Sequence, residues 1–167
     1  RNAALQNWKN FKARRLNAYH VLRNHVDENA TSCLSPYLHF GHISTHEIVG
    51  DILEREGRTP DSLTSSTVDG RRAGWWRMSE PAEAFLDQLI TWREIGFNRC
   101  ANDPQYASFD TLPEWSLATL EKHRADARPY LYSMEEFDQA LTHDPLWNAA
   151  QNQMKYQGKM HGFMRMY

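Results

Sequence analysis

Thr142-His143-Asp144-Pro145-Leu146-Trp147-Asn148-Ala149-Ala150 decides how this chain folds. Asp-Pro supplies an N-cap followed by a proline at the first helical position, so a helix opens here. Its sequence mixes Trp147 with Asn148, Gln151 and Gln153 rather than repeating one apolar stripe. Gly158 ends it. The run Lys159-Met160-His161-Gly162-Phe163-Met164-Arg165-Met166-Tyr167 then predicts a second helical segment, with His161 and Arg165 at i and i+4 on one face. A face of tryptophan, amides, histidine and arginine suits a planar, polar ligand better than it suits a core. The pattern stops at Tyr167 without glycine, proline or a polar run, which predicts a piece of a larger domain.

Outward from this stretch nearly every signal is helical. Leu5, Trp8, Phe11, Leu16, Tyr19, Leu22 and Val26 recur every three to five residues and predict one long first helix of about two dozen residues. Ser35-Pro36 reads as an N-cap and first-turn proline, with Gly41 closing a short helix. Ser44-Thr45-His46-Glu47 is a capping box for a helix that stops at Gly57. Residues 57–79 read as an exposed loop. Pro81 begins a helix in which Phe85, Leu89, Trp92 or Arg93, and Gly96 share a face. Residues 102–112 form a loop before a helix started by Pro113, and Ser133-Met134-Glu135-Glu136 is a second capping box. Sustained alternation is absent, so the expected fold class is all-α, in a single domain with a substantial core.

Composition narrows function. A hydrophobic share of 41% with six tryptophans excludes a disordered chain. There is no apolar run of membrane-spanning length and no signal-peptide pattern. Cys33 and Cys100 lack a C-x-x-C spacing, so reduced thiols and a cytoplasmic setting are expected. The net charge of −2 hides an asymmetry. Residues 1–26 carry six bases and no acid, residues 145–167 carry three bases and no acid, and the middle holds all 21 acids. Basic ends permit contact with phosphates, although solvated helix faces look the same at this level.

Metal chemistry finds little support. His42 and His46 are i, i+4 neighbours near His39, but Glu47 is followed by Ile48, Val49 and Gly50, so the zinc-protease spacing is missing. Nucleophile motifs and glycine-rich phosphate loops are missing too. An anion could instead meet Thr31, Ser32 and Ser35, three hydroxyls crowded at the start of a proline-opened helix, unless Ser35 is simply a cap. Trp92-Arg93-Glu94 reads either as an internal ion pair or as a carboxylate presented to a cavity. Trp147 is expected to be at least half buried.

The run Ser32-Cys33-Leu34-Ser35-Pro36-Tyr37-Leu38-His39-Phe40-Gly41-His42-Ile43-Ser44 resembles the S-x-L-S-P-Y-L-H-F-G-x-I-S signature of DNA photolyases and cryptochromes. Thr142 to Ala149, and Gly158 to Gly162 through Arg165-Met166-Tyr167, resemble the class II branch, which acts on cyclobutane pyrimidine dimers. The resemblance extends over essentially the whole chain, through Arg23-Asn24 and Trp92-Arg93-Glu94-Ile95. It implies a helical FAD-binding domain and UV-damaged DNA as partner, in a monomeric parent enzyme without metal or membrane. Cofactor binding would fall to Tyr19, Arg23, Thr31, Ser32, Leu34, Ser35, Trp92 and Arg165. The chemistry would fall to Glu94 facing the flipped-out dimer, Arg165 stabilising a reduced anionic flavin, and Trp147 in the tryptophan chain that photoreduces it. The implied reaction is light-driven electron transfer from reduced FAD that splits the dimer. The family's light-harvesting α/β domain has no counterpart here, and neither do the later helices of the flavin cup. FAD binding by this chain alone is therefore expected to be weak or absent. Cys33 stands where class II members often carry asparagine. Two other readings stay open: a cryptochrome-like photoreceptor without repair activity, and a helical scaffold with no cofactor.

Overall fold

A computed structural model describes residues 1–63 and 74–167. Of the 57–79 loop, residues 64–73 lie outside the described residues. Helices are α1 (Asn2–Arg14), α2 (Tyr19–Leu22), α3 (Ser35–His39), α4 (Thr45–Arg55), α5 (Glu80–Leu86), α6 (Trp92–Asn102), α7 (Glu114–Lys122), α8 (Met134–Asp138) and α9 (Pro145–Gln157), with short 3-10 turns between some of them. Among the described residues there is no strand, so the fold is all-α. No described helix is long and apolar enough to cross a membrane. The chain divides into two compact units, Arg1–Asn98 and Arg99–Tyr167.

The first unit is built on α1. Ala4, Trp8 and Phe11 lie on one face, and all three are buried. The predicted continuous first helix breaks at Arg15, where φ is −123°, and a 3-10 turn over Leu16–Ala18 leads into α2. Helix geometry gives the reason. Leu16, five residues past Phe11, would sit about 140° around a straight helix from it. The break brings Leu16 and Tyr19 back to the same core as Phe11. Leu34, Ile43, Ile48 and Ile52 belong to that core, as do Ala82, Phe85, Leu86 and Leu89. Phe85 lies at its centre, stacked on Trp8 at 5.7 Å and edge-on to Tyr19 at 5.3 Å.

Helices α1 and α4 run in the same sense, since their contacts advance in step. Arg1 pairs with Glu47 at 2.9 Å. Asp51 accepts from Trp8 Nε1 at 2.7 Å and Lys12 Nζ at 2.6 Å. Arg55 donates to the Lys12 carbonyl at 2.9 Å and to Asn17. Ser44 caps α4 by accepting from the Glu47 amide, but the Glu47 side chain goes to Arg1 rather than completing the box. Burial pushes the Asp51 carboxyl up, and the hydrogen bonds from Lys12 and Trp8 outweigh it, leaving the group below its ordinary range. Its contribution to stability is therefore fully present above the ordinary carboxylate range and is lost as pH falls through the depressed value. Asp51→Asn should flatten that acid limb of the stability curve, as read by urea midpoints at stepped pH. An unchanged limb would assign the acid sensitivity to other carboxylates.

The second unit relies on caps and ring contacts more than on buried area. Ser133 and Glu136 form a complete capping box on α8. Ala140, in the left-handed region at φ 57°, turns the chain out of α8 and is buried. Lys155 of α9 donates to the Asp138 carbonyl at 2.7 Å and pairs with its carboxylate at 3.0 Å. Trp115, Leu131, Met134 and Tyr156 stay largely exposed. The substantial core expected from the chain's length is thus confined to the first unit among the described residues.

Candidate functional site

Three groups of candidate residues occur along the chain. The first lies around α2. Tyr19 is buried and its ring belongs to the aromatic core. Burial pushes its phenol up, while the neighbouring Arg23 guanidinium pulls it down less strongly. Arg23 lies over the Tyr19 ring at 5.8 Å, so the core presents a cation at the surface. It borders a cavity of about 460 Å³ that His20, Glu80, Glu83 and Asp87 also line. Three carboxylates on that wall oppose a phosphate there, so the cavity itself is unsuited to a diphosphate.

The segment from Thr31 to Ser35 follows. Asn7 of α1 donates its side-chain amide to the carbonyls of Ser32 at 2.7 Å and Cys33 at 3.2 Å, pinning the loop to the core helix. Cys33 adopts φ 54°, and the Ser32 hydroxyl accepts from the Leu34 amide at 3.4 Å. Leu34 is buried beneath. Ser35 is the first residue of α3, which Leu34 precedes without a side-chain cap, so the predicted Ser35 cap moves by one residue. The Leu34 carbonyl accepts the first bond of α3, from the Leu38 amide at 2.9 Å, which puts Ser35 inside the helix. Ser35 remains exposed at the start of α3. Hydroxyls, a guanidinium and uncapped backbone amides are donor chemistry that fits the phosphates of a flavin dinucleotide.

The second group follows α5. Residues Asp87–Thr91 form a π-helical turn, a feature that recurs at functional sites. The wider turn changes the register. Phe85, Leu86 and Leu89 face the core, whereas α6 buries no residue. The shared face expected to run from Phe85 through Trp92 to Gly96 therefore ends at the π turn. Trp92 is about half exposed and donates Nε1–H to Asp87 at 3.1 Å. Glu94 pairs with Arg93 at 2.9 Å on the surface, not internally, and Arg93 also lies over the Phe97 ring at 4.7 Å. An exposed carboxylate held by one arginine can accept hydrogen bonds from a base edge.

The third group is the motif around Thr142. Trp147 is mostly buried, as expected, with Phe137 at 5.2 Å. The Asn148 side chain bonds back to Thr142. Its Oδ1 accepts from the Thr142 amide at 2.9 Å and hydroxyl at 2.7 Å, and its Nδ2 donates to the Thr142 carbonyl at 2.7 Å. The Asp144 side chain caps α9 through the amides of Leu146 and Trp147. His143 stacks on Tyr130 at 3.7 Å and donates its backbone N–H to the Tyr132 hydroxyl at 2.9 Å. Gly158, at φ 65°, ends α9 as expected. The second helix predicted after it is replaced by a single 3-10 turn, Phe163–Arg165, with His161 Nδ1 accepting from the Phe163 amide. That bond holds His161 before the turn, so His161 and Arg165 do not form the i, i+4 pair. The sequence reading missed the pinning role of Asn7 and the ties of Asp144 and Asn148. Asp-Pro signalled the cap, but partners six to 26 residues apart leave no periodic trace.

Among the described residues no three His, Cys, Asp or Glu side chains converge as metal ligands. His39 instead lies edge-on to Phe40 at 4.7 Å, and His42 packs near Tyr37.

These features define an all-α protein whose polar and aromatic groups are held around helix starts and one π turn. No family model matches the chain. It is 41% identical over 94% of its length to a deoxyribodipyrimidine photo-lyase of Oryza sativa subsp. japonica, covering 28% of that protein. A protein of the same name from Arabidopsis thaliana is 40% identical over 94% of the chain and 28% of its own length. Another, from Methanothermobacter thermautotrophicus, is 38% identical over 99% of the chain and 32% of its own length. Over the stretch it spans, the chain belongs to the photolyase family. It covers about a quarter to a third of the length of these curated relatives. All bear the photo-lyase name, so the cryptochrome-like reading is not favoured.

Proposed function

We propose that this chain forms part of a light-driven lyase that splits cyclobutane pyrimidine dimers in UV-damaged DNA with FAD as cofactor. The observation that carries the reading is the 36–41% identity to proteins named deoxyribodipyrimidine photo-lyase, maintained across nearly the whole chain. When bound, a reduced flavin supplies one electron under light to the dimer and recovers it after the ring opens. Arg23 and the Thr31, Ser32 and Ser35 hydroxyls hold the phosphates, with Tyr19 and Leu34 anchoring those groups to the core. Trp92 offers an aromatic wall beside the flavin, and Arg165 contributes positive charge. Glu94 accepts hydrogen bonds from the pyrimidine edges. Trp147 relays an electron when the cofactor arrives oxidised. The class II assignment is supported by the resemblance of the Thr142–Ala149 and Gly158–Tyr167 motifs.

Glu94→Ala in the natural protein that carries this segment should lower repair per bound flavin about tenfold or more, the loss expected for a charged hydrogen bond. Flavin absorbance should be nearly intact. Loss of flavin with unchanged repair per remaining flavin would remove Glu94 from the substrate side.

A further inference from the structure

The Asp144 carboxylate has two employments, one on each oxygen. Oδ1 accepts from the amides of Leu146 at 2.8 Å and Trp147 at 3.1 Å, which is ordinary capping of α9. Oδ2 accepts from the Tyr167 hydroxyl at 2.6 Å, a bond that closes a loop of 23 residues. Capping needs only one of these oxygens. The second binds Tyr167, two residues past the Phe163–Arg165 turn, so the backbone carrying Arg165 is tied to the first turn of the helix carrying Trp147.

We propose that Asp144 is a positioning residue that sets the Arg165 turn against the start of α9 through its bond to Tyr167. Its two neighbours keep the carboxylate in place. Thr142 is stitched to Asn148 by three hydrogen bonds. His143 is held by the Tyr132 hydroxyl and stacked on Tyr130. Thr142 and Asp144 thus both bond to α9, while His143 is held by the segment of Tyr130 and Tyr132. The Arg165 turn is also held by the Phe163 amide on His161 Nδ1 at 3.2 Å. It is one 3-10 turn with the Arg165 amide on Gly162 at 3.3 Å and the Met166 amide on Phe163 at 3.1 Å. The Tyr167 hydroxyl holds the Asp144 carboxyl below its ordinary range, in keeping with an anionic acceptor at this position. What Arg165 does once positioned rests on the proposed function; that it is positioned does not.

Hydrogen exchange on the full chain, read amide by amide by NMR without flavin, tests the two roles separately. Tyr167→Phe should exchange the Arg165 and Met166 amides about tenfold faster, as expected for loss of a charged hydrogen bond, while the Trp147 and Asn148 amides keep their rates. Asp144→Ala should accelerate both sets. Asp144→Asn should restore the α9 amides, because asparagine is an equally good cap, and slow the Arg165 and Met166 amides only in part, because its Nδ2 can donate to the Tyr167 oxygen but the charged acceptor is gone. Unchanged rates at Arg165 and Met166 in Tyr167→Phe would overturn the proposal. So would Asp144→Ala leaving the Arg165 and Met166 amides at their original rates. Because no flavin is present, failure of the cofactor reading leaves this result standing.

Discussion

Phe85→Ala is expected to destabilise the first unit by about 3–5 kcal/mol, the usual cost of deleting a buried aromatic ring. Phe85 is 3% exposed and its ring meets three others: Trp8 at 5.7 Å, Phe11 at 5.0 Å and Tyr19 at 5.3 Å. Phe85 comes from α5 and these neighbours from α1 and α2, so no single helix can move to fill the void without opening a contact elsewhere. Against a typical domain stability of about 5–15 kcal/mol, the loss takes a large fraction. It also removes one of two rings that meet Tyr19 edge-on, and with it support for the surface over which Arg23 lies. Urea denaturation followed by circular dichroism measures the effect. Phe97→Ala supplies the contrast: Phe97 is 56% exposed on α6, and its loss should stay within about 0.5 kcal/mol, as for surface changes generally. Equal costs at the two positions would mean that the Phe85 cluster is not the core of this unit.

On the proposed function, Trp147→Phe in the natural protein that carries this segment is expected to abolish or strongly slow photoreduction of oxidised FAD, with repair by chemically pre-reduced protein largely retained. Phenylalanine keeps most of the ring volume beside Phe137, so folding should suffer by less than about 1.5 kcal/mol. It is also far harder to oxidise than indole, so an electron cannot be drawn from this position. Asp144 and the Thr142–Asn148 bonds hold the helix start, independently of the indole ring. A defect in the variant therefore reports electron supply rather than local unfolding. Time-resolved absorption after a blue flash gives the flavin radical yield. An unchanged yield would leave Trp147 with packing alone.

Helix positions and their punctuation were legible in the sequence because they depend on neighbours within one turn. Asp144-Pro145 opens α9, Gly158 closes it, Ser133 and Glu136 box α8, and Gly57 with φ 63° follows α4. These are local bonds between residues one to four apart, so the residue types alone declare them. The family signature was legible for a different reason, as a long string of specific residues whose resemblance extends over nearly the whole chain.

Tertiary structure decided where continuous periodicity is interrupted. Apolar spacing runs on smoothly past Arg15, yet burying Leu16 and Tyr19 with Phe11 requires the chain to break there. Spacing also runs on from Phe85 to Gly96, yet one π turn ends the buried face and turns Trp92 toward solvent. Polar partnerships across long separations were invisible for the same reason. Asn7 holds the Ser32 carbonyl, Asp51 gathers Trp8 and Lys12, and Asp144 reaches Tyr167. A side chain's partner at such distances is set by how the helices come together, and residue order carries only the side chain's capacity to bond. The sequence by itself therefore determined an all-α chain, the caps of α8 and α9, and its family; packing alone decided which carboxylates, amides and rings became anchors and which were left at the surface.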